Sequence, residues 1–501
     1  MNKNYQNLVR RLEEISRLNG VLSTIAWDQE VMMPAGAADA RAKQIAALAG
    51  VIHERTTNPA LGECLDALND GTEDFTAMAL CNIQEARRNF DLMTRIPNDL
   101  VRALAELGSR GHTIWVQARR ENKFSDFAPV IEQFLKLKKE WAACAFPDMP
   151  PYDANIDLFE RGTTAAEITA IFDQLKAVLI PLIHKIRHHS YQPDISFLQG
   201  HFPVEKQEAL ARKISKDIGF KYDMGRMDVS VHPFCGGSHP TDVRITTRYN
   251  DNDFVESLYA VIHETGHALY EQGRQLEFAD LPVSESLTMG IHESQSLFWE
   301  RMIAQSREFC TYYFETICEA FPGNLKRATV DSFYQAINAC RPGFIRVEAD
   351  ELTYPLHVIL RFEIEKGLFE GSIAVNDLPE VWNEKMDTYL GIRPPTDTLG
   401  VLQDSHWSSG AFGYFPSYTL GAIYACQFYK TMVSEVPDTA NNIETGDFKP
   451  IKHWLNEKIH SQGRRYTPQE LVLRITGEPL NPNHLIDYLK AKYKVIYKLN
   501  G

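Results

Sequence analysis

The residues best placed to do chemistry lie between Val261 and Tyr270, which read Val-Ile-His-Glu-Thr-Gly-His-Ala-Leu-Tyr. His263 and His267 stand four apart, so on a helix both imidazoles leave one face about one turn apart and can share a metal ion. Glu264, beside the first histidine, projects to the side, where it can hold a water on that metal. This is the minimum apparatus for metal-assisted hydrolysis. The plain alternative is an exposed helix that happens to carry two histidines. With 16 His in 501 residues, the pattern arises by chance in roughly a few per cent of chains this long. The flanks favour a metal. Thr265, Gly266 and Ala268 bring no competing charge, Asn250-Asp251-Asn252-Asp253 offers helix caps, and Gly273 offers a stop. Phe254, Leu258, Val261, Ile262 and Leu269 give the helix a face to bury.

Catalytic zinc usually takes three protein ligands and keeps a position for water. Glu271, one turn past His267, would recede from the metal and is rejected. Glu285, His292 and Glu293 remain, on a next helix expected to start near Ser284-Glu285-Ser286 and to continue through Trp299. Periodicity does not choose among them.

The elements that must carry these residues are mostly helical. Apolar residues recur at three and four spacing over 1–20, 35–55, 74–93, 97–120, 126–144, 164–188 and 204–217. Gly and Pro fall largely between these segments, as at Met33-Pro34 and Met149-Pro150-Pro151. One stretch differs. Residues 226–249 pass from Arg226-Met-Asp-Val-Ser-Val through a Gly-Gly-Ser loop to an alternating, β-branched run ending at Tyr249, which predicts a strand pair leading into the metal helix. Its edge could align an extended peptide, and a purely structural hairpin is equally compatible with the sequence. No repeat or low-complexity linker divides the chain, so the expectation is one large domain over 1–501. Within it stand a helical region to about 200, a metal and groove core over about 220–430, and C-terminal helices over 431–501.

Composition narrows the partners. A hydrophobic fraction of 44% allows a large core, and the net charge of −14 disfavours nucleic acid and anionic membranes. No apolar run reads as a signal peptide or spans a bilayer. The eight cysteines (Cys64, Cys81, Cys144, Cys235, Cys310, Cys318, Cys340 and Cys426) are scattered, with no Cys-x-x-Cys pair, which fits thiols in a reducing cytoplasm.

The motif His263-Glu-x-x-His267 followed by Gly290-Ile291-His292-Glu293-Ser294-Gln295-Ser296 closely resembles the thermostable carboxypeptidase Taq family of zinc metallocarboxypeptidases. The likeness extends over nearly the whole chain. It includes Trp27-Asp28 with Met33-Pro34, His232-Pro233-Phe234, Asp242-Val-Arg244-Ile-Thr-Thr-Arg248, Ile345-Arg346 through Tyr354, Leu402 through Ser408, Gly413-Tyr414 through Tyr418, and Thr476 through Pro482. The resemblance implies Glu293 as third ligand of one Zn2+ per chain, which Co2+ or another divalent ion could replace. It implies a mainly α fold with a deep groove and a small sheet beside the metal helix, and a homodimer. It also implies release of C-terminal amino acids from peptides with broad specificity and poor action on C-terminal proline.

On that footing Glu264 is the expected general base, and His406 and Tyr414 are candidate donors to the oxyanion of the reaction. A free C-terminal carboxylate asks for a guanidinium fork. Arg346 is the first choice, against a structural salt bridge to Asp350 or Glu351, and Arg244 and Arg248 follow. His232 is expected to line the groove, while Asp404 and His292 are expected to orient other site residues. An endopeptidase with the same metal site, or an inactive peptide-binding scaffold, is the alternative.

Overall fold

The computed structural model describes residues 2–69 and 75–499. It is mainly helical with one small sheet. Five expected helices appear with ends moved by a few residues, as Ala38–Thr56, Asn98–Glu121, Phe124–Ala145, Ala165–Arg187 and Val204–Asp217. The first helix, Lys3–Val31, runs well past its expected end, because Leu22, Ile25 and buried Trp27 extend its apolar stripe. The helix expected over 74–93 is Ala77–Arg95, capped by Thr76; residue 74 lies outside the described residues. Pro59–Asn69 and Pro151–Ile156 went unread. They are too short for a clear period, although each begins with a proline, which suits a helix start.

The strand expectation needs correction. Three strands form, not two: β1 (Gly225–Val229), β2 (Cys235–His239) and β3 (Asp242–Thr247), in the order β1-β3-β2. β3 runs parallel to β1 and antiparallel to β2, pairing Met227 and Cys235 with Ile245. The expected Gly-Gly-Ser loop is thus the edge strand itself. Glycines hid it, since they lack the β-branched signature. Gly237 has φ 143°, and a Cβ there would lie 2.2 Å from the Asp242 carbonyl oxygen. The hairpin closes on backbone that only glycine supplies.

One large core binds the elements that carry the site. It takes in Ile262 and Leu269 of helix Phe254–Gln272, called the ligand helix for its two candidate ligands, Ile291 and Leu297 of the second candidate ligand helix Met289–Leu297, and Leu360 and Leu420 of the supporting helices Tyr354–Glu370 and Pro416–Glu435. A smaller core joins Tyr5, Leu8 and Leu12 of the first helix to Leu61 and Leu65, and reaches Leu281 and Val283 just ahead of the second ligand helix. Farther along, the first helix presses on β2, where a Cβ on Gly20 would meet the Ser238 carbonyl at 2.9 Å.

The two ligand helices meet with no side chain between them. A Cβ on Gly266 would stand 2.5 Å from the Gln295 carbonyl oxygen and 2.6 Å from the Ser296 Cα. Both obstacles are backbone, so neither can rotate away. The expected outcome for Gly266→Ala is a loss of about 1–3 kcal/mol of stability from overpacking, read from the denaturant midpoint at unchanged m-value. A variant as stable as the parent would show that the helices can separate freely.

Candidate active site

The ligand helix starts where the sequence places it. The Asp253 side chain accepts from the amides of Val255 and Glu256, and Gly273 ends the helix. The second ligand helix departs from expectation. It begins at Met289 under a Thr288 cap, while Pro282–Ser284 forms only a 3-10 turn and Glu285 pairs with Arg464 at 3.0 Å. The helix then widens into a π-turn over Phe298–Ala304. Glu300, the third residue of that turn, reaches the first histidine.

Glu293 lies between the two histidines. Its Oε2 is 3.6 Å from His263 Nε2 and 3.3 Å from His267 Nε2. The three donor atoms fall within 4.8 Å of one another, the single group of this kind among the described residues. A Cβ on Gly421 would overlap the Glu293 Cγ at 2.7 Å, so helix Pro416–Glu435 backs the carboxylate directly. Each imidazole is held from behind. His263 Nδ1 meets Glu300 Oε2 at 2.7 Å. His267 Nδ1 meets His292 Nδ1 at 2.7 Å and the His292 carbonyl at 3.1 Å. His292 Nε2 meets Glu271 Oε1 at 2.9 Å, and Arg274 donates to the other Glu271 oxygen. With Glu271 accepting from Nε2 of His292, His292 Nδ1 is left to accept from His267, whose Nε2 lone pair then faces Glu293.

The donor set fits a divalent cation. Two imidazoles and one carboxylate suit zinc and several other ions, and a hydrogen bond on the far nitrogen of each histidine is the usual way such ligands are oriented. Burial raises the Glu293 carboxyl, but His263, His267 and Arg301 pull it down to about 2. Burial and neighbouring His292 and His263 hold the His267 ring down at about 4, so it stays neutral. Burial would lower His263 too, yet Glu293, Glu300 and Glu264 raise it to about 10. Glu264 is also buried and receives charge effects in place of hydrogen bonds. Burial, then repulsion from Glu293 and Glu300, outweighs attraction to His263 and leaves it at about 7.

The late motifs gather nearby. Arg346 is buried and donates through Nε and Nη2 to Asp404 Oδ1, at 3.0 and 2.9 Å, and through Nη1 to the Tyr354 hydroxyl at 3.1 Å. Its salt-bridge partner is Asp404, not Asp350 or Glu351: Asp350 accepts backbone amides and Glu351 pairs with Lys492. Arg361 binds the other Asp404 oxygen at 2.7 Å. The Arg346 guanidinium lies 4.6 Å from the centre of the Tyr418 ring. His406 Nε2 is 3.3 Å from the Tyr418 hydroxyl, and the His406 and Tyr414 rings are 5.3 Å apart. Burial and the charges of Arg346 and Arg361 lower His406 to about 4, and burial beside Glu293 pushes the Tyr414 phenol up to about 12.

The remaining candidates sit apart from this gathering. Arg244 is paired with Asp242 at 2.8 Å and stacked on Trp27 at 4.4 Å. Arg248 pairs with Glu256 at the start of the ligand helix. His232 is exposed, with its carbonyl taken by Ser230 Oγ. Sequence reasoning missed Glu300, Tyr354 and Tyr418. A signal existed for two of them, since Glu300 follows Glu293 by seven on one face and Tyr418 follows Tyr414 by four.

A site of this build on a mainly helical scaffold belongs to the metal-dependent peptidases. Residues 7–493 match the family Carboxypeptidase Taq (M32) metallopeptidase, and the chain belongs to it. It is 40% identical over 488 residues to Carboxypeptidase 1 of Bacillus subtilis, with 97% of each chain covered. It is 38% identical to Thermostable carboxypeptidase 1 of Thermus thermophilus, covering 98% of this chain and 99% of that one. The M32 carboxypeptidase of Deinococcus radiodurans R1 superimposes with a TM-score of 0.97 at 36% identity, over 99% of this chain and 100% of that one. The protein is a metallocarboxypeptidase, a hydrolase of peptide bonds that uses a divalent metal.

The partners behind the two histidines can be tested without turnover. Glu300→Gln and His292→Phe are each expected to weaken Zn2+ binding about 10- to 100-fold, measured by competition with a chromophoric chelator. Unchanged affinity in both would remove their orienting role.

Proposed function

We propose that the enzyme releases single C-terminal amino acids from peptides of broad sequence, acts poorly on C-terminal proline, and holds one Zn2+ on His263, His267 and Glu293. Cobalt or another divalent ion would serve the same donors. The observation that carries this reading is the convergence of two imidazole nitrogens and the Glu293 carboxylate beside a fourth group, the buried Glu264 carboxyl. When bound, the metal supplies Lewis acidity, polarising the scissile carbonyl and making water acidic enough to attack at neutral pH.

The protein's own residues do the rest. Glu264 takes a proton from water as its oxygen bonds to the carbonyl carbon, and returns that proton to the leaving nitrogen as the C–N bond breaks. The oxyanion needs donors with fixed protons. Tyr414, held near 12, keeps its O–H throughout the working range. His406 is neutral, and its Nδ1 is buried without a protein partner.

Arg346 is proposed to receive the substrate's terminal carboxylate. A guanidinium has five N–H groups. Asp404 takes two and Tyr354 one, so one remains on each of Nη1 and Nη2. Those two N–H groups are left for a carboxylate. Arg244 and Arg248, which among the described residues make no contact with Tyr354, His406 or Tyr418 of the kind that surrounds Arg346, are weaker choices, and His232 is kept as a groove-lining residue. The domain division at about 200 and 430, the homodimer and the cytoplasmic setting belong to the same proposal. The eight unpaired thiols support the last of these. Among the described residues no helix is long and apolar enough to cross a membrane.

Two outcomes are expected. Glu264→Gln should bind Zn2+ normally yet lose more than about 99% of turnover, checked by metal analysis beside mass spectrometry of an unblocked peptide; substantial residual turnover would remove the base assignment. Arg346→Lys keeps a cation beside Asp404 but loses the fork. It should raise KM for free-acid peptides about 10- to 100-fold and leave hydrolysis of C-terminal amides little changed. Equal losses on both substrates, or internal fragments from the amides of the parent enzyme, would refute the terminal-carboxylate reading.

A further inference from the structure

Glu365 has no part in the steps above and is fully buried on helix Tyr354–Glu370. Even so, donors from three segments meet its two oxygens. Trp407 Nε1 donates to Oε1 at 2.8 Å, while the Tyr152 hydroxyl and the Gly413 amide donate to Oε2 at 2.9 and 2.8 Å. Trp407 directly follows His406, and Gly413 directly precedes Tyr414. We propose that Glu365 is a positioning residue that sets His406 and Tyr414 by clamping both ends of the turn between them. The proposal rests on the oxyanion-donor reading of those two residues.

The surroundings give the turn little freedom. Gly413 has φ 83°, and a Cβ there would lie 2.6 Å from the Asn155 carbonyl carbon. The turn is therefore pressed against helix Pro151–Ile156, which carries Tyr152. One helical turn before Glu365, Arg361 donates to Asp404 and Gln403, each at 2.7 Å. One face of one helix thus fixes the Gln403–Gly413 segment at its start with a cation and at its end with an anion.

All three partners of Glu365 are donors, so only the ionised form satisfies them together. A neutral acid, or a glutamine, would aim a donor of its own at one of the three. Burial pushes this carboxyl up to about 7, against its three donors and Arg361. The titratable groups facing it are Tyr152, Arg361 on its own helix and Lys138 of helix Phe124–Ala145, whose ammonium burial lowers to about 8. The sign follows. As pH falls through about 7 the clamp loses an acceptor and the turn loosens. Folding stability moves the other way, since a carboxyl raised in the folded state stabilises the fold below its unfolded pKa and ceases to do so as pH rises through 7.

The test uses the full-length, metal-loaded enzyme with 15N-labelled tryptophan. The Trp407 indole N–H resonance, identified by its loss in Trp407→Phe, should move with a midpoint near pH 7. That step should vanish in Glu365→Gln. In Tyr152→Phe it should shift to higher pH, because a donor favouring the carboxylate is gone. At pH 8, Glu365→Gln should lower kcat about 10- to 100-fold with KM and metal content within about twofold. A Trp407 resonance indifferent to pH in the parent, or parental kcat in Glu365→Gln, overturns the proposal. If His406→Ala and Tyr414→Phe are themselves silent, the oxyanion-donor reading fails first and takes the clamp's purpose with it. If those two are slow while Glu365→Gln is not, the clamp alone fails. Should Glu365→Gln not fold, the Tyr152→Phe shift decides: a midpoint that stays put overturns the proposal.

Discussion

The site is built around the cost of burying negative charge between two helices that touch at Gly266. Glu264, Glu271, Glu293 and Glu300 all lie within that space, and burial by itself drives each toward the neutral acid. Local partners then separate them. Glu293 has two imidazoles and Arg301, and stays ionised. Glu271 has His292 and Arg274 and is held at about 2. Glu300 has His263 and Arg301 and also falls below its usual range. Glu264 has two like charges nearby and only His263 for relief, so it alone sits near neutrality. This separation matches the parts proposed for them: one ligand, two orienting groups and one base. It is the way one environment runs acid and base chemistry with a single kind of side chain.

Backbone proximity makes the arrangement possible. Gly266 lets the ligand helices meet, Gly421 lets a third helix back Glu293, and Gly237 lets β2 close on β3. The sheet in turn seats the first helix through Trp27, on which Arg226 and Arg244 both stack, at 4.9 and 4.4 Å. The substrate side is organised differently, by charge. Asp404 between Arg346 and Arg361 is a buried triad in which one carboxylate faces two guanidiniums. Removing Asp404 from such a group would leave two guanidiniums unpaired out of water, and that cost holds the triad in place. The surplus positive charge suits a site proposed to receive a carboxylate, and the guanidinium lies 6.0, 5.7 and 4.6 Å from the ring centres of Tyr354, Phe415 and Tyr418.

Up to residue 217 the longer helices were legible from their apolar stripes, with their ends less so, whereas Arg307–Ala320, Tyr354–Glu370 and Pro416–Glu435 were not placed. Lys3–Val31 outran its reading because its second half packs on the sheet through Gly20 and Trp27. β2 was unreadable as a strand because its glycines exist for close approach and carry no propensity. The start of the second ligand helix was misplaced for a similar reason. Ser284 looks like a cap, but Thr288 is the residue whose side chain accepts an amide. Within the site, His263, Glu264 and His267 were readable from spacing alone, since one helix holds all three. The proposed third ligand was not: Glu285, His292 and Glu293 were equal by period, and only family resemblance favoured Glu293.

What the sequence by itself determined is therefore local. It settled the helical character, the two-histidine face with its adjacent carboxylate, and the absence of any run suited to a membrane, all from interactions within a turn or two of one chain segment. Tertiary structure alone decided which carboxylate falls between the imidazoles, that Arg346 turns to Asp404, and that Arg244 is spent on Asp242 and Trp27. It also decided that Glu365 gathers donors from residues 152, 407 and 413. These depend on where distant segments approach one another, and a side chain's charge state follows the company it keeps there. Periodicity records which face is buried; it holds no record of what that face is buried against.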